Sequence, residues 1–395
     1  MKLQFLDMGT VTSPRGFLAG AVIREGLGLG ILFSEAACRA AGLFTRNQIK
    51  AASVKLSQRR LEEGRARAVV VNRGCANAGT GEKGMADAEE MAHLAATKLN
   101  LPPEEVLVAS TGVIGTYLPL PQIRQAVEEV ELSSEGGHEF ARAILTTDRV
   151  PKEAGMTLEL GGKRVVIGGV AKGAGMIHPD LATMLCFLTT DAMVEPAFLR
   201  QALKEAVDNS FNLITVDGDT SPNDTVVILA NGLAGNPVLT ADSPDGARFR
   251  EALKEACLQL AQLIAQDGEG ATRLIEVQVE GALSLEDARL AARTIASSPL
   301  VKAAVYGSDP NWGRIIAALG RSGARVEESK VELYLGQLCL FRGQPLPFDR
   351  EEASRLLSRE RVKFRLCLNL GEGKATSWGC DLSPEYVTIN SAYTT

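Results

Sequence analysis

A glycine-rich run, Lys172-Gly173-Ala174-Gly175-Met176-Ile177-His178-Pro179-Asp180-Leu181-Ala182-Thr183, delivers a threonine to the head of an apolar stretch, Met184 to Leu188. That order suits one kind of chemistry. A threonine hydroxyl becomes a nucleophile only when a base lies within hydrogen-bond reach, and a freed α-amino group on the same residue supplies one. Its unperturbed pKa of about 7.7–8.0 leaves part of it as free amine near neutral pH. Cleavage of the Ala182–Thr183 bond would therefore place nucleophile and base on one residue. The small Ala182 eases the tight backbone that an N→O acyl shift onto Thr183 requires. By spacing alone, the same pattern also describes an ordinary buried β-branched residue that opens a strand.

A second glycine loop, Gly79-Thr80-Gly81-Glu82-Lys83-Gly84, matches GxGxxG, follows a strand pattern and opens a helical one. A dinucleotide site would want its first glycine close behind the strand and an acidic residue at the end of the next strand. Here the NRGCANA stretch intervenes and the next strand runs into Ser110 and Thr111. Ordinary turn glycines are the better reading. The chain has no GxxxxGK[ST], no GxSxG and no HExxH, which removes P-loop, serine-elbow and zincin chemistry. Its 3 histidines rule against a multi-histidine metal centre. The 7 cysteines are scattered and never form CxxC, as expected of reduced thiols in the cytoplasm. His178 lies five residues before Thr183, where an α-amine makes a further base redundant, and reads as structural.

These groups need a large framework, and 395 residues, 45% of them hydrophobic and 23% charged, supply one or two domains of ample core. A net charge of −6 without like-charge blocks makes nucleic acid and anionic membrane poor candidates as partners, and neither is expected. No apolar run reaches membrane length, and no signal segment opens the chain. Strand patterns fall at 66–71, 106–109 (ending in a Ser110-Thr111-Gly112 turn), 164–170, 184–188, 213–216, 225–229, 274–279, 362–369, 374–378 and 386–390. Helical periodicity marks 82–99, a segment from Glu195, 248–265, and a helix opened by Ser284 with Asp287 three residues on, like a capping box. Helices interleaved with strands imply a layered α/β sandwich.

The run from Ala171 to Ala192, AKGAGMIHPDLATMLCFLTTDA, resembles the signature of the ornithine acetyltransferases, the bifunctional arginine-biosynthesis (ArgJ) family. Further matches spread along the chain: Gly42-Leu43-Phe44-Thr45-Arg46-Asn47 with Lys50-Ala51-Ala52, Val71-Asn72-Arg73-Gly74-Cys75-Ala76-Asn77-Ala78, Ser110-Thr111-Gly112-Val113-Ile114-Gly115, Thr146-Thr147-Asp148, Gly307-Ser308-Asp309-Pro310-Asn311-Trp312-Gly313-Arg314 and Ile389-Asn390. Their order and spacing agree with the family.

The resemblance implies a glutamate N-acetyltransferase: Thr183 takes the acetyl group from N-acetylornithine and passes it to glutamate in a ping-pong cycle. It implies self-cleavage into residues 1–182 and 183–395, with Ala182 and Thr183 at the cut. Thr111 and Gly112 match the oxyanion pair. Lys172, Thr183, Glu269, Asn390 and Thr395, with one threonine of the Thr146-Thr147 pair, match substrate-binding positions, and Thr147 is the one favoured. The implied fold is a two-domain α/β sandwich of the self-cleaving N-terminal-nucleophile kind, not a Rossmann sheet. The implied assembly is a cytoplasmic α2β2 heterotetramer with no metal or organic cofactor; acetyl-CoA is left open as a second acetyl donor. Two alternatives remain: a self-processed aminopeptidase or amidohydrolase, and a non-catalytic amino-acid-binding protein.

Overall fold

The computed structural model describes residues 3–178 and 184–392. Two sheets stack face to face with helices outside both. The central sheet has six strands in the order β1-β7-β8-β9-β10-β4, formed by β1 (Gln4–Phe5), β4 (Arg39–Phe44), β7 (Lys152–Leu160), β8 (Lys163–Lys172), β9 (Leu185–Thr190) and β10 (Thr225–Ala230). The second sheet runs β2-β3-β5-β6, from β2 (Phe17–Arg24), β3 (Leu27–Ser34), β5 (Ala68–Cys75) and β6 (Val106–Val113).

Period-2 alternation explains the stacking. Val69, Val71, Leu107 and Ala109 point toward Val170, Leu185, Phe187, Val227 and Leu229 of the central sheet. Val70, Val108 and Ala68 point the other way, against helices α1 (Ala52–Arg60), α2 (Gly81–Leu99) and α3 (Leu120–Glu129). The outer face of the central sheet is covered by α5 (Pro196–Asp208) and α6 (Gly246–Gln266), whose Phe198, Leu203, Phe249, Leu253 and Leu260 join Ile167, Cys186 and Leu188. Helix α4 (Gly137–Ala143) lodges Phe140 between the sheets, edge-on to Phe187.

A third sheet, β13-β12-β14-β11-β15, comprises β11 (Leu274–Ala282), β12 (Glu332–Leu335), β13 (Leu338–Arg342), β14 (Arg361–Cys367) and β15 (Gly373–Cys380). It has a core of its own with α7 (Leu285–Ala296), α8 (Pro299–Tyr306), α9 (Gly313–Gly320) and α10 (Arg350–Leu357). The last helix is α11 (Pro384–Ala392). The Ser284 Oγ accepts from the Asp287 amide at 3.0 Å and opens α7, as the sequence pattern requires.

The architecture is the expected layered α/β arrangement in more than one core, and none of the three sheets is a doubly wound parallel sheet. Three local expectations fail. Residues 386–390 lie in α11 instead of a strand: Pro384 suits a helix's first turn, and Asn390 is drawn toward Glu269. Residues 213–216 make a short 3-10 turn and a single bridge, Ile214 to Trp378. Strand β6 does not turn at Ser110 but continues to Val113, because Gly74 and Gly112 let two parallel strands come together.

The expected cleavage point falls in the connection between β8 and β9. These neighbours are antiparallel, with Lys172 opposite Leu185 and Ile167 opposite Thr190.

Candidate active site

At one end of the stacked sheets, six separate segments converge on a cavity of about 80 Å³. The end of β6 brings Thr111 and Gly112; the loop after α4 brings Thr146 and Thr147; the end of β8 brings Lys172. The turn after α6 adds Glu269 and α11 adds Asn390, with Ser221 and Asn223 from the loop before β10. Thr183, Ala182 and Thr395 lie outside the described residues. Five of the sequence-designated positions, together with both threonines of the 146–147 pair, therefore surround one space.

Gly112 sits where its residue type is required. Its φ is +128°, and a Cβ there would stand 2.3 Å from the carbonyl carbon of Gly74 on β5. Any side chain would force the end of β6 away from β5. Asn223 fixes that end from the other sheet: its Nδ2 donates to the carbonyl oxygens of Ala76 at 2.7 Å and Ser110 at 2.8 Å. Sequence reasoning passed over Asn223, since one amide in a DGDTSPND turn looks like turn chemistry.

The same loop holds both flanks of the 179–183 stretch. Asp217 accepts the amides of Met176 and Ile177, at 2.5 and 3.0 Å. The Asp224 Oδ1 accepts the amide of Met184, the residue bonded to Thr183, at 3.2 Å. Burial pushes both carboxyls above the usual aspartate range, Asp224 most strongly. His178 is half-buried, with Nδ1 3.3 Å from the Thr215 hydroxyl, in keeping with a structural role.

Lys172 is buried, and its ammonium donates to the Thr146 hydroxyl at 2.8 Å and the Thr111 hydroxyl at 3.4 Å. Of the Thr146-Thr147 pair, the hydroxyl bonded to Lys172 is thus that of Thr146. Glu269 is buried as well and accepts from the Asn390 amide at 2.7 Å. A Cβ on Gly175 would lie 2.4 Å from its carboxylate, so the bare glycine backbone makes room for the acid. A cation and an anion then face one space beside a strand end that can present amides. Such a site can grip a zwitterionic or aminoacyl molecule while a carbonyl is held at Thr111 and Gly112.

The Gly79–Gly84 loop stands apart from this cavity. It caps α2, where Thr80 Oγ1 donates to Asn77 Oδ1 at 2.8 Å, as turn glycines would. Among the described residues, no group of three or more His, Cys, Asp or Glu side chains could hold a metal ion. No helix of the described residues is long and apolar enough to cross a membrane.

The sequence profile of the ArgJ family matches residues 17–395. The chain belongs to the ArgJ family. The "Arginine biosynthesis bifunctional protein ArgJ" of Dehalococcoides mccartyi (strain CBDB1) is 54% identical over 401 residues, covering 100% of this chain and 99% of its own. The protein of the same name from Bacillus subtilis (strain 168) is 47% identical over 394 residues, covering 98% and 97%. A crystal structure of the Arginine biosynthesis bifunctional protein argJ from Bacillus halodurans superposes with a TM-score of 0.52 at 47% identity, covering 52% of this chain and 98% of the solved one. The ArgJ membership expected from the motifs is the one observed.

Proposed function

We propose that this ArgJ-family chain is a glutamate N-acetyltransferase that moves the acetyl group of N-acetylornithine to glutamate through Thr183. The observation that supports it best is the meeting of Thr111, Gly112, Lys172 and Glu269 around one cavity beside the β8–β9 connection. The names of the relatives support a role in arginine biosynthesis.

In this reading the carboxylate of N-acetylornithine pairs with Lys172 and the Thr146-Thr147 hydroxyls, and its side-chain ammonium pairs with Glu269 and Asn390. The Thr183 hydroxyl, giving its proton to its own α-amine, attacks the acetyl carbon. The oxygen that becomes negative is stabilised at Thr111 and Gly112, a contribution of about 2.7–4 kcal/mol for a lost donor. The C–N bond breaks, the proton passes to the departing nitrogen, and ornithine leaves. The glutamate amine then attacks acetyl-Thr183, and N-acetylglutamate forms as the hydroxyl recovers its proton. Acetyl-CoA would enter the same cycle at its first half.

The α-amine exists only after the Ala182–Thr183 bond is cut, giving residues 1–182 and 183–395. The Bacillus halodurans chain, about half the length of this one by its coverage, supports a two-chain product. Pairing of β8 with β9 and of β4 with β10 would keep the halves together. Two such pairs form the α2β2 assembly, in the cytoplasm and without a cofactor.

The acceptor is what a direct test must read. Purified protein with N-acetylornithine and glutamate should form N-acetylglutamate faster than free acetate. Acetate release at a rate independent of glutamate would make the chain a hydrolase instead. Thr183→Ser retaining turnover while Thr183→Ala loses it separates both enzymes from a binding protein, which would tolerate either change.

A further inference from the structure

Lys172 is the inner end of a chain of alternating charges that the reaction scheme leaves unused. The Asp267 carboxylate accepts from the Arg149 side chain at 3.0 Å and from Lys152 at 2.6 Å. Lys152, fully buried, also donates to Asp148, and the second Asp148 oxygen lies 3.9 Å from the Lys172 ammonium. Arg149, Asp267, Lys152, Asp148 and Lys172 thus alternate in sign from the surface to the cavity. Asp148 does more than pair. It accepts the Gly173 amide at 2.7 Å and the Thr146 amide at 3.0 Å, fixing the backbone on both sides of the lysine–hydroxyl contact.

We propose that Asp148 is a positioning residue: its carboxylate holds Lys172 as an ammonium and turns the Thr146 hydroxyl onto it, so that the cavity binds the substrate carboxylate to a higher pH than the buried lysine alone would allow. The inference rests on the transacetylase reading, in which Lys172 meets that carboxylate.

The surrounding charges favour Asp148 for this task. Burial disfavours the Lys172 charge most and leaves its pKa below the usual lysine value; Asp148 opposes that most strongly, Lys152 works against it, and Glu269 and Asp224 add weaker support. Asp224 is itself pushed toward its neutral form by burial, and Glu269 is engaged by Asn390. Asp148 is held reliably ionised: burial raises its pKa, but Lys172, Lys152 and the Gly173 amide bring it to about 2. A buried lysine without such a neighbour can titrate as low as about 5–6.

The test is the pH dependence of KM and kcat for N-acetylornithine at saturating glutamate, compared among the wild type, Asp148→Asn and Asp148→Glu. Substrate amines titrate identically in all three, so differences belong to the protein. Asp148→Asn should move the alkaline rise of KM down by about 1–3 pH units. On the alkaline side KM then stands roughly tenfold higher for each pH unit by which the rise has moved, with kcat little changed. Asp148→Glu, which keeps the charge, should restore the wild-type midpoint. A purely structural aspartate would lower active protein without moving the midpoint, and an unchanged midpoint in Asp148→Asn overturns the proposal. If that variant does not fold, the wild type decides: an alkaline KM limb below about pH 7 contradicts a charge-stabilised Lys172 and one well above it supports the assignment. No transfer by the wild type overturns the transacetylase reading and this inference with it, whereas transfer with unshifted profiles overturns the inference alone.

Discussion

Gly112→Ala is the perturbation whose consequences can be worked furthest. The substitution adds one methyl group, yet its Cβ would stand 2.3 Å from the Gly74 carbonyl carbon, 2.6 Å from its oxygen and 2.7 Å from the Cys75 nitrogen. Ordinary contact is about 3.5–4.0 Å, and all three obstacles are backbone, so the end of β6 must retreat by roughly 1 Å. A φ of +128° adds strain that an alanine bears and a glycine does not, on the order of 1–3 kcal/mol. A 1 Å misplacement of catalytic groups can cost about a hundredfold, and one lost oxyanion donor about 10²–10³ in kcat. The expected result is a kcat for acetyl transfer lower by about 10²–10³ with KM changed only a few-fold, because Lys172 and Glu269 are untouched. Gly79→Ala is the control. Gly79 has φ +70° with nothing within 4 Å of a Cβ, so it should lose similar stability in thermal unfolding and no turnover. A Gly112→Ala protein with kcat within about threefold of wild type would refute the assignment of that strand end to the oxyanion.

Two other changes follow from the same contacts. Gly175→Ala drives a Cβ to 2.4 Å from the Glu269 carboxylate and breaks its bond to Asn390. Losing a charge-assisted contact worth about 1.5–3 kcal/mol should lower kcat/KM for N-acetylornithine roughly ten- to hundredfold, while an N-acetylated amino acid without a side-chain ammonium is turned over as before; equal losses on both substrates would remove Glu269 from ammonium recognition. Asp224 is a buried acid whose folded pKa lies above the unfolded one, so its contribution to stability is present below about pH 4 and declines as pH rises. Asp224→Asn should therefore gain thermal stability relative to wild type on going from acid to alkaline buffer, and a growing deficit at alkaline pH would contradict a carboxyl held neutral by its surroundings.

Much of the layered core is legible in the sequence because its signals are local. The stripe of α6, the capping box of α7 and the apolar runs of β8, β9 and β10 state their structure within a few residues. Strands β2 and β3 are hidden by glycines that answer to distant neighbours. A Cβ on Gly20 would lie 2.0 Å from the Glu131 oxygen, and one on Gly28 would lie 2.0 Å from the Ala143 oxygen. Glycine lowers a strand reading that only tertiary packing restores. Residues 386–390 mislead in the opposite sense: Tyr386, Val387 and Ile389 are good strand formers, but α11 has Pro384 at its start and, among the described residues, belongs to no sheet.

The site shows the same division. Spacing makes Thr183 a candidate nucleophile but does not separate it from an ordinary strand-opening threonine; its assignment, like those of Lys172, Glu269, Asn390 and the Thr111–Gly112 pair, emerges through the family motifs, since lone polar residues are usually solvated. Asp148 lies in the Thr146-Thr147-Asp148 motif, where nothing along the chain points to its task. Its partner network cannot be read along the chain at all, because Asp267 is 115 residues from the lysine it shares with Asp148. Asn223, which joins the two sheets at the cavity, looks like any turn asparagine until the strands are stacked.

The central claim is that Thr183, freed at its amino group, carries the acetyl group, and intact-mass spectrometry of the purified protein reads it directly. After a brief exposure to N-acetylornithine without glutamate, the account predicts two species that co-purify and separate only on denaturation: residues 1–182 unchanged, and residues 183–395 heavier by one acetyl group that glutamate then removes. A single uncleaved chain with full transferase activity, or an acetyl group located anywhere but Thr183, would contradict it.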